Sequence, residues 1–375
     1  MFTWGTSQID WPLLMDKGYC FDLSASKALK DTIGRMHPKI AELAIRNGNL
    51  YAIPSDVNFI YLQIEEDNWF EAGLSLDDVP KSFPDLLDFL DHWCDRMEDE
   101  FEPVFRIIGE RDSYYTEYSY VTWLTRLLVD EAIMQMQYAG EALHFDSPEL
   151  LVLLERCDTV GRRLYQLESS SGNLCLFDQA ARGVWPTKSA NIVYLPLNNI
   201  QPKLIKTLVM MWAIGSYTDK PDLCMELLEY VSSGVGNPYF PSDMFLFRDT
   251  QARVNPDYET ELAYWTGEVN TVAEQLQEPN LNEDERTVLE ETLIRYKGAV
   301  DNTEQNKWLM NPAQLMDYQA SIDTLFFPVP NIFDESNSQG EIENLYNRFA
   351  SRILTTEQFI RELNRIAQMI RLEGE

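Results

Sequence analysis

Tryptophans set beside short polar side chains are the residues in this sequence best suited to chemistry. Trp4 and Trp11 flank the polar loop from Thr6 to Asp10, Trp185 follows Arg182-Gly183, and Trp212 lies inside the apolar run LVMMWAI at 208–214. An indole face suits the C–H faces of a sugar ring, and neighbouring Asp, Asn, Gln and Ser suit its hydroxyls. Each tryptophan also has a plain structural reading. Trp212, within an apolar run, reads as core. Trp4 ends a short strand, where ligands of α/β proteins collect, and reads equally as core or as ligand platform.

Other chemistry finds no motif. A phosphate-cradling G-x-x-x-x-G-K-[ST] is absent, and so is G-x-G-x-x-G, since Gly234-Val235-Gly236 follows a helix instead of a strand. His37, His92 and His144 are far apart with no H-E-x-x-H, and no G-x-S-x-G occurs. Acid pairs abound among 61 Asp and Glu, so no glycosidase-like carboxylate pair stands out. Cys20, Cys94, Cys157, Cys175 and Cys224 are scattered and odd in number. They read as buried thiols, without a disulfide framework or a zinc ribbon. The sequence thus predicts no catalytic residue, no metal and no cofactor.

The elements that must position these residues alternate between strand and helix. Met1 to Trp4 reads as a strand end, and Pro38 starts a helix carrying Ile40, Leu43 and Ala44. Asn47-Gly48 is a turn, Asn49 to Ile53 a strand ended by Pro54, and Phe59 to Leu62 a second β run. The spacing of Leu86, Leu87, Leu90, Trp93, Cys94 and Met97 predicts a helix over 82–97, capped by Ser82 and Asp85. Tyr120 to Ala132 and the Asp146-Ser147-Pro148-Glu149 start mark two further helices. Strands follow at 174–177, 192–195 and 208–214. A helix over 221–233 is predicted to turn Leu223, Leu227, Leu228 and Val231 inward, with Gly234 beyond its end. The remainder is helical at 256–275, 283–300 and 356–372, the last with a Thr355–Gln358 capping box, and DESNSQG at 334–340 reads as a loop. This is an α/β order with a helix-rich C-terminal half.

The 375 residues suffice for about two domains. With 30 Lys and Arg against 61 Asp and Glu, the formal charge is −31, which repels phosphate backbones, so nucleic acid is not an expected partner. No apolar run of about 18 residues predicts a membrane span. The start, MFTWGTSQIDW, lacks the regions of a signal peptide.

Two long segments, MDKGYCFDLSASKALKDTIGRMHPKIAELAIRNGNLYAIP (15–54) and NWFEAGLSLDDVPKSFPDLLDFLDHW (68–93), resemble the N-terminal lobe of extracellular solute-binding proteins of ABC importers, sugar-binding type. ALHFDSPELLVLL (142–154), SYTDKPDLCMELLEYVSS (216–233) and LTTEQFIRELNRIAQMIRLE (354–373) agree in order, so the resemblance spans nearly the whole chain. It departs at two places. Relatives carry a signal peptide, often a lipoprotein cysteine, and a first β-α-β segment before the strand matching Phe2-Thr3-Trp4. Many also have Asn-Pro-x-Ser where this chain has Gly215-Ser216-Tyr217-Thr218.

The resemblance implies a two-lobed periplasmic-binding-protein-like fold with a hinge and an interlobe cleft. One lobe is expected at 1–103 plus 214–308, N-terminally incomplete, and the other at 104–213 plus 309–375, with hinges near Pro103 and at 208–214. By resemblance, cleft residues are Trp4, Thr6 and Ser7 after the first strand, Ser55 and Asp56 past YAIP, Asp178 and Gln179 in a loop after Leu174 to Phe177, and Trp212 in the hinge run. The implied function is to bind a carbohydrate or oligosaccharide and deliver it to ABC permease subunits, as a monomer that is extracellular or lipid-anchored at the cell surface. A glycoside-processing enzyme and a ligand-free interaction scaffold are the alternatives.

Overall fold

From Phe2 to Gly5 the chain forms strand β1, followed by three short helices: α1 (Trp11–Asp16), α2 (Lys27–Arg35) and α3 (Pro38–Glu42). Asp10 and Ser26 cap the first two, their side chains accepting from Leu13 N and Leu29 N. Strands β2 (Ile45–Arg46) and β3 (Asn49–Leu50) make a hairpin, with Asn47 and Gly48 at positive φ in its turn. Strand β4 (Ala52–Ile64) runs on for 13 residues. In this computed structural model the described residues are 1–98, 105–108, 118–167, 174–182, 185–186, 188, 191–198, 200–232, 245–330, 333 and 340–374.

After β4 come α4 (Glu66–Glu71), α5 (Phe83–Glu98), β5 (Phe105–Ile108), α6 (Ser119–Ala139), α7 (Pro148–Leu167), β6 (Leu174–Arg182), β7 (Ile192–Val193) and β8 (Ile205–Ala213). The rest comprises α8 (Pro221–Ser232), β9 (Arg253–Val254), α9 (Tyr258–Gln275), α10 (Glu283–Gln305), β10 (Trp308–Met310), α11 (Pro312–Ser321), β11 (Leu325–Phe326), α12 (Glu341–Ala350) and α13 (Thr356–Gly374). Predicted caps are in place. Asp85 N donates to Ser82 Oγ, Leu150 N to Ser147 Oγ, and Thr355 with Gln358 forms the reciprocal pair. No helix among the described residues is long and apolar enough to cross a membrane.

One sheet, in the order β1-β8-β4-β6-β5, joins two hydrophobic cores. β4 is buried throughout Ala52 to Pro54, and beyond the bulge its buried positions are Val57, Phe59 and Tyr61, then Leu62 and Ile64. Successive strand residues face opposite sides, so the phase change at Tyr61-Leu62 moves burial from one face to the other. Val57, Phe59 and Tyr61 belong to the core that contains Trp11, Leu29, Ile40, Val209 and Tyr318. Leu62 and Ile64 belong to the core that contains Leu86, Leu90, Leu124, Leu154 and Phe359. Helix α5 therefore packs with the residues of 118–164, while β8 and residues 315–318 pack with the N-terminal segment.

Three local expectations need correction. Pro54 does not end a strand, because β4 passes through it: the register slips between Pro54 and Asp56, and such a bulge tolerates the missing N–H. Residues 178–179 are not in a loop, since β6 continues to Arg182 by pairing with β4 from Ile64 to Phe59. Helix α8 buries Leu228, whereas Leu223, Leu227 and Val231 are exposed; its packing covers a narrower stripe than its composition predicts. Trp185 follows its structural reading: it is core, fully buried against Phe59 and Tyr318 with its Nε1 donating to Asp317. The expectations at Pro103, Gly234 and 334–339 lie outside the described residues.

Candidate functional site

The carboxyl end of β1 meets the middle of β4 across β8. Met210 sits in register with Gly5 on one side and Asp56 on the other. Residues at paired positions share a sheet face, so Gly5, Met210 and Asp56 form one rung, and Leu208 with Asn58 forms the next. Asp56, Asn58, Ile60, Leu208 and Met210 are all half-buried, in contrast to the fully buried Val57, Phe59 and Val209 that alternate with them. This is the face of β4 away from the N-terminal core, ahead of the Tyr61-Leu62 step at which burial changes sides.

The loop after β1 is fastened to this face. Thr6 N donates to Val209 O at 3.0 Å, and Val209 N donates to Thr6 Oγ1 at 3.1 Å, so the threonine hydroxyl extends the ladder by one rung. Gly5 N donates to Gln8 Oε1 at 3.0 Å. A Cβ at Gly5 would lie 3.3 Å from Met210 Sδ and 3.6 Å from Gln8 Oε1, so the loop runs close over the Met210 side chain here. The bulge places Ser55 Oγ where it donates to Met210 O at 3.2 Å.

Asp56 is the under-satisfied group of this rung. Its Oδ1 is buried without a partner, and its Oδ2 accepts only a 3.4 Å bond from Asn58 Nδ2. Native structures rarely leave a carboxylate so poorly supplied with donors, because its desolvation costs more than a neutral group's. The arrangement offers a carboxylate acceptor, an amide able to donate and accept, and the apolar surface of Met210 and Leu208. Among the described residues no group of three or more His, Cys, Asp and Glu is placed to hold a metal ion.

The eight residues expected in the cleft separate into groups. Thr6, Ser55 and Asp56 gather around Val209 and Met210, and Thr6 and its neighbour Ser7 are buried. Trp212 shares the face of Met210 one rung away, paired with Thr3 and Ile53, and packs partly against the N-terminal core. Trp4 pairs with Met211 and so faces the other side, at the sheet edge, with 45% of its surface exposed. Gln179 lies opposite Leu62 and accepts from Trp123 Nε1 at 3.1 Å. Asp178, opposite Gln63, faces the reverse side. Asn58, Met210 and Leu208 were not anticipated. The period-two pattern Asp56, Asn58, Ile60 after the bulge is the signal that locates them.

Burial also shapes α6, the helix beside this sheet. Glu131 is buried, its Oε1 accepts from Gln135 Nε2 at 2.5 Å, and burial pushes its carboxyl up to about 8. The same Gln135 amide donates to Pro202 O at 3.1 Å. This ties α6 to the segment that leads into β8.

No family model matches the sequence, and no curated protein matches it. Solved structures match the fold. UgpB from Mycobacterium tuberculosis in complex with glycerophosphocholine is 11% identical at a TM-score of 0.52, over 99% of this chain and 83% of that one. An ABC substrate-binding protein from Listeria monocytogenes in complex with cycloalternan is 11% identical at a TM-score of 0.51, over 98% of this chain and 84% of that one. A solute-binding protein from Agrobacterium radiobacter in complex with ribitol is 12% identical at 0.50, over 98% and 84%. The likeness is of fold: an α/β chain of the two-lobed periplasmic-binding-protein type.

Proposed function

We propose that this chain, built on the two-lobed fold of ABC-importer solute-binding proteins, binds a carbohydrate, oligosaccharide or polyol between its lobes and hands it to a membrane permease. It acts as a monomer and performs no catalysis. Its working place is outside the cytoplasmic membrane, lipid-anchored or free. In this reading the lobes follow the two hydrophobic cores, so α5 goes with α6 and α7, and β8 with β1.

The observation that carries the proposal is the Asp56 rung: a donor-poor carboxylate beside Asn58 and Met210, on the face of β4 turned away from the N-terminal core, five residues before the Tyr61-Leu62 step at which burial changes face. A hydroxylated ligand supplies the missing donors, and its C–H faces cover the thioether and Leu208. The carboxylate and the −31 net charge favour neutral ligands over anionic ones. Contacts from both sides of the crossing then stabilise a closed population.

Calorimetry with a panel of neutral oligosaccharides and polyols, paired with small-angle scattering, tests this. A sugar that binds one to one and reduces the radius of gyration is the expected result. Saturable binding with an unchanged radius would remove the interlobe cleft from the account. Turnover of an aryl glycoside would move the protein to the enzymes.

A further inference from the structure

Helix α6 belongs to one core and reaches the chain where it passes between the two. Its Leu124, Leu128, Ala132 and Ile133 lie in the core of α5 and α7. Two segments that pass between the cores touch its C-terminal half. The first runs from Leu195, in the same core as α6, to Ile205, in the core of β8 and Tyr318, with Pro202 between them. The second runs from Leu325, in the core of β8, back to Phe333, in the core of α6, with Val329 between them. The two crossings are neighbours, since Leu325 pairs with Ile205 and Phe326 with Lys206 in parallel register.

Two glutamines of α6 hold these crossings, each between its two core anchors. Gln135 is buried, and both hydrogens of its amide are used: Nε2 donates to Pro202 O at 3.1 Å and to Glu131 Oε1, one turn back on α6, at 2.5 Å. Pro202 O can only accept, which sets the direction of the amide, and the buried Glu131 holds it there. Gln137 makes a reciprocal pair with the other crossing: its Nε2 donates to Val329 O at 2.9 Å, and its Oε1 accepts from Val329 N at 3.2 Å. Tyr138 adds an edge-on ring contact to Phe326, with centroids 6.5 Å apart. Hydrogen bonds are directional, so a swing of either crossing relative to α6 breaks them.

We propose that Gln135 and Gln137 form a brace that sets the balance between open and closed arrangements of the two lobes, with Glu131 positioning Gln135. The brace presupposes the two-lobed reading above and adds what restrains its hinge. Hinge motion is absorbed by backbone changes in the few residues that join two lobes. Tying two such segments to a helix of one lobe stabilises the arrangement in which the bonds are made, and a swing about the crossings costs their loss or their exchange for water. The brace thereby tunes ligand affinity through the ligand-free populations, without touching the ligand.

The test is the distance distribution between spin labels at Lys30→Cys on α2 and Glu155→Cys on α7, exposed positions on helices of different cores. The parent is the ligand-free full chain with its half-buried thiols removed by Cys175→Ser and Cys224→Ser. Gln137→Ala and Gln135→Met are each expected to raise the weight of a second distance relative to the first about fivefold, the worth of one ordinary hydrogen bond. Melting temperatures confirm that each variant is folded, and if Gln135→Met does not fold, Gln137→Ala carries the comparison. Ligand-free distributions in the folded variants identical to the parent's overturn the brace. If the parent's own distribution still shifts with a sugar from the calorimetric panel, the lobes move and only the brace has failed. A single distance in every chain, unmoved by any sugar of the panel, overturns the two-lobed hinge and the brace with it.

Discussion

Asp178 and Gln179 are neighbours in β6 yet serve opposite sides of the sheet: Gln179 accepts from Trp123 Nε1 at 3.1 Å, and Asp178 accepts from Gln63 Nε2 at 3.5 Å. Two adjacent residues in a strand cannot both face one ligand. Gln179 lies on the side of Leu62, six residues along β4 from Asp56 and thus about 20 Å from the Asp56 rung at strand rise.

This separation gives the first prediction. Asp56→Ala should weaken binding of the sugar identified by calorimetry by about tenfold or more, since hydrogen bonds to a charged group are worth roughly 1.5–3 kcal/mol. Asp178→Ala should leave affinity unchanged. Equal losses in both variants would mean that the ligand does not sit on the Met210 face.

Two tryptophans should respond in opposite ways to removal. Trp185 is fully buried among Phe59, Tyr318 and Asp317, so Trp185→Ala should cost about 3–5 kcal/mol in urea denaturation. Trp4, at the exposed sheet edge, should cost less than about 1 kcal/mol on the same substitution. A sugar affinity lowered in Trp4→Ala at unchanged stability would make this indole a platform for ligand. Unaltered affinity would exclude it.

Gly161 marks a close approach of α7 to α6. A Cβ there would lie 2.7 Å from Val121 N and 2.8 Å from Val121 Cα, both backbone atoms that cannot rotate away. Gly161→Ala should therefore destabilise the fold by about 1–3 kcal/mol despite the better helix propensity of alanine. A denaturation midpoint at or above that of the wild type would refute the close contact.

Glu131 predicts a pH dependence whose sign follows from burial. Its folded-state carboxyl titrates at about 8 instead of the ordinary 4.5, so the native state holds this proton more tightly than the unfolded chain does. Its contribution to stability is fully present below about pH 4.5 and is lost as the pH rises towards 8, by at most about 1.4 kcal/mol per unit. Glu131→Gln, which cannot ionise, should gain on the wild type in urea midpoint between pH 5 and pH 8. A constant difference across that window would show that Glu131 is not protonated in the fold.

Period and composition determined most elements of this protein on their own. The stripe Leu86, Leu90, Trp93, Met97, the caps at Ser82, Ser147 and Thr355, and the Asn47-Gly48 turn are local features, set by residues a few positions apart. Even the change of buried face is written in VNFIYLQI (57–64), where Asn58 and Gln63 break the apolar run on opposite parities. Only the tertiary structure decided which faces would meet. Pro54 was compatible with a strand end until pairing with β8 carried the strand past it through a bulge at Ser55, and Asp178 with a loop until β4 offered six residues of pairing. Helix α8 shows the same limit, since its apolar residues Leu223 and Leu227 remain exposed while Leu228 alone is buried. Strand register and helix orientation depend on residues more than a hundred positions away, as in the pairing of Asp56 with Met210. No local pattern contains that information, and the placement of the candidate site rests on it.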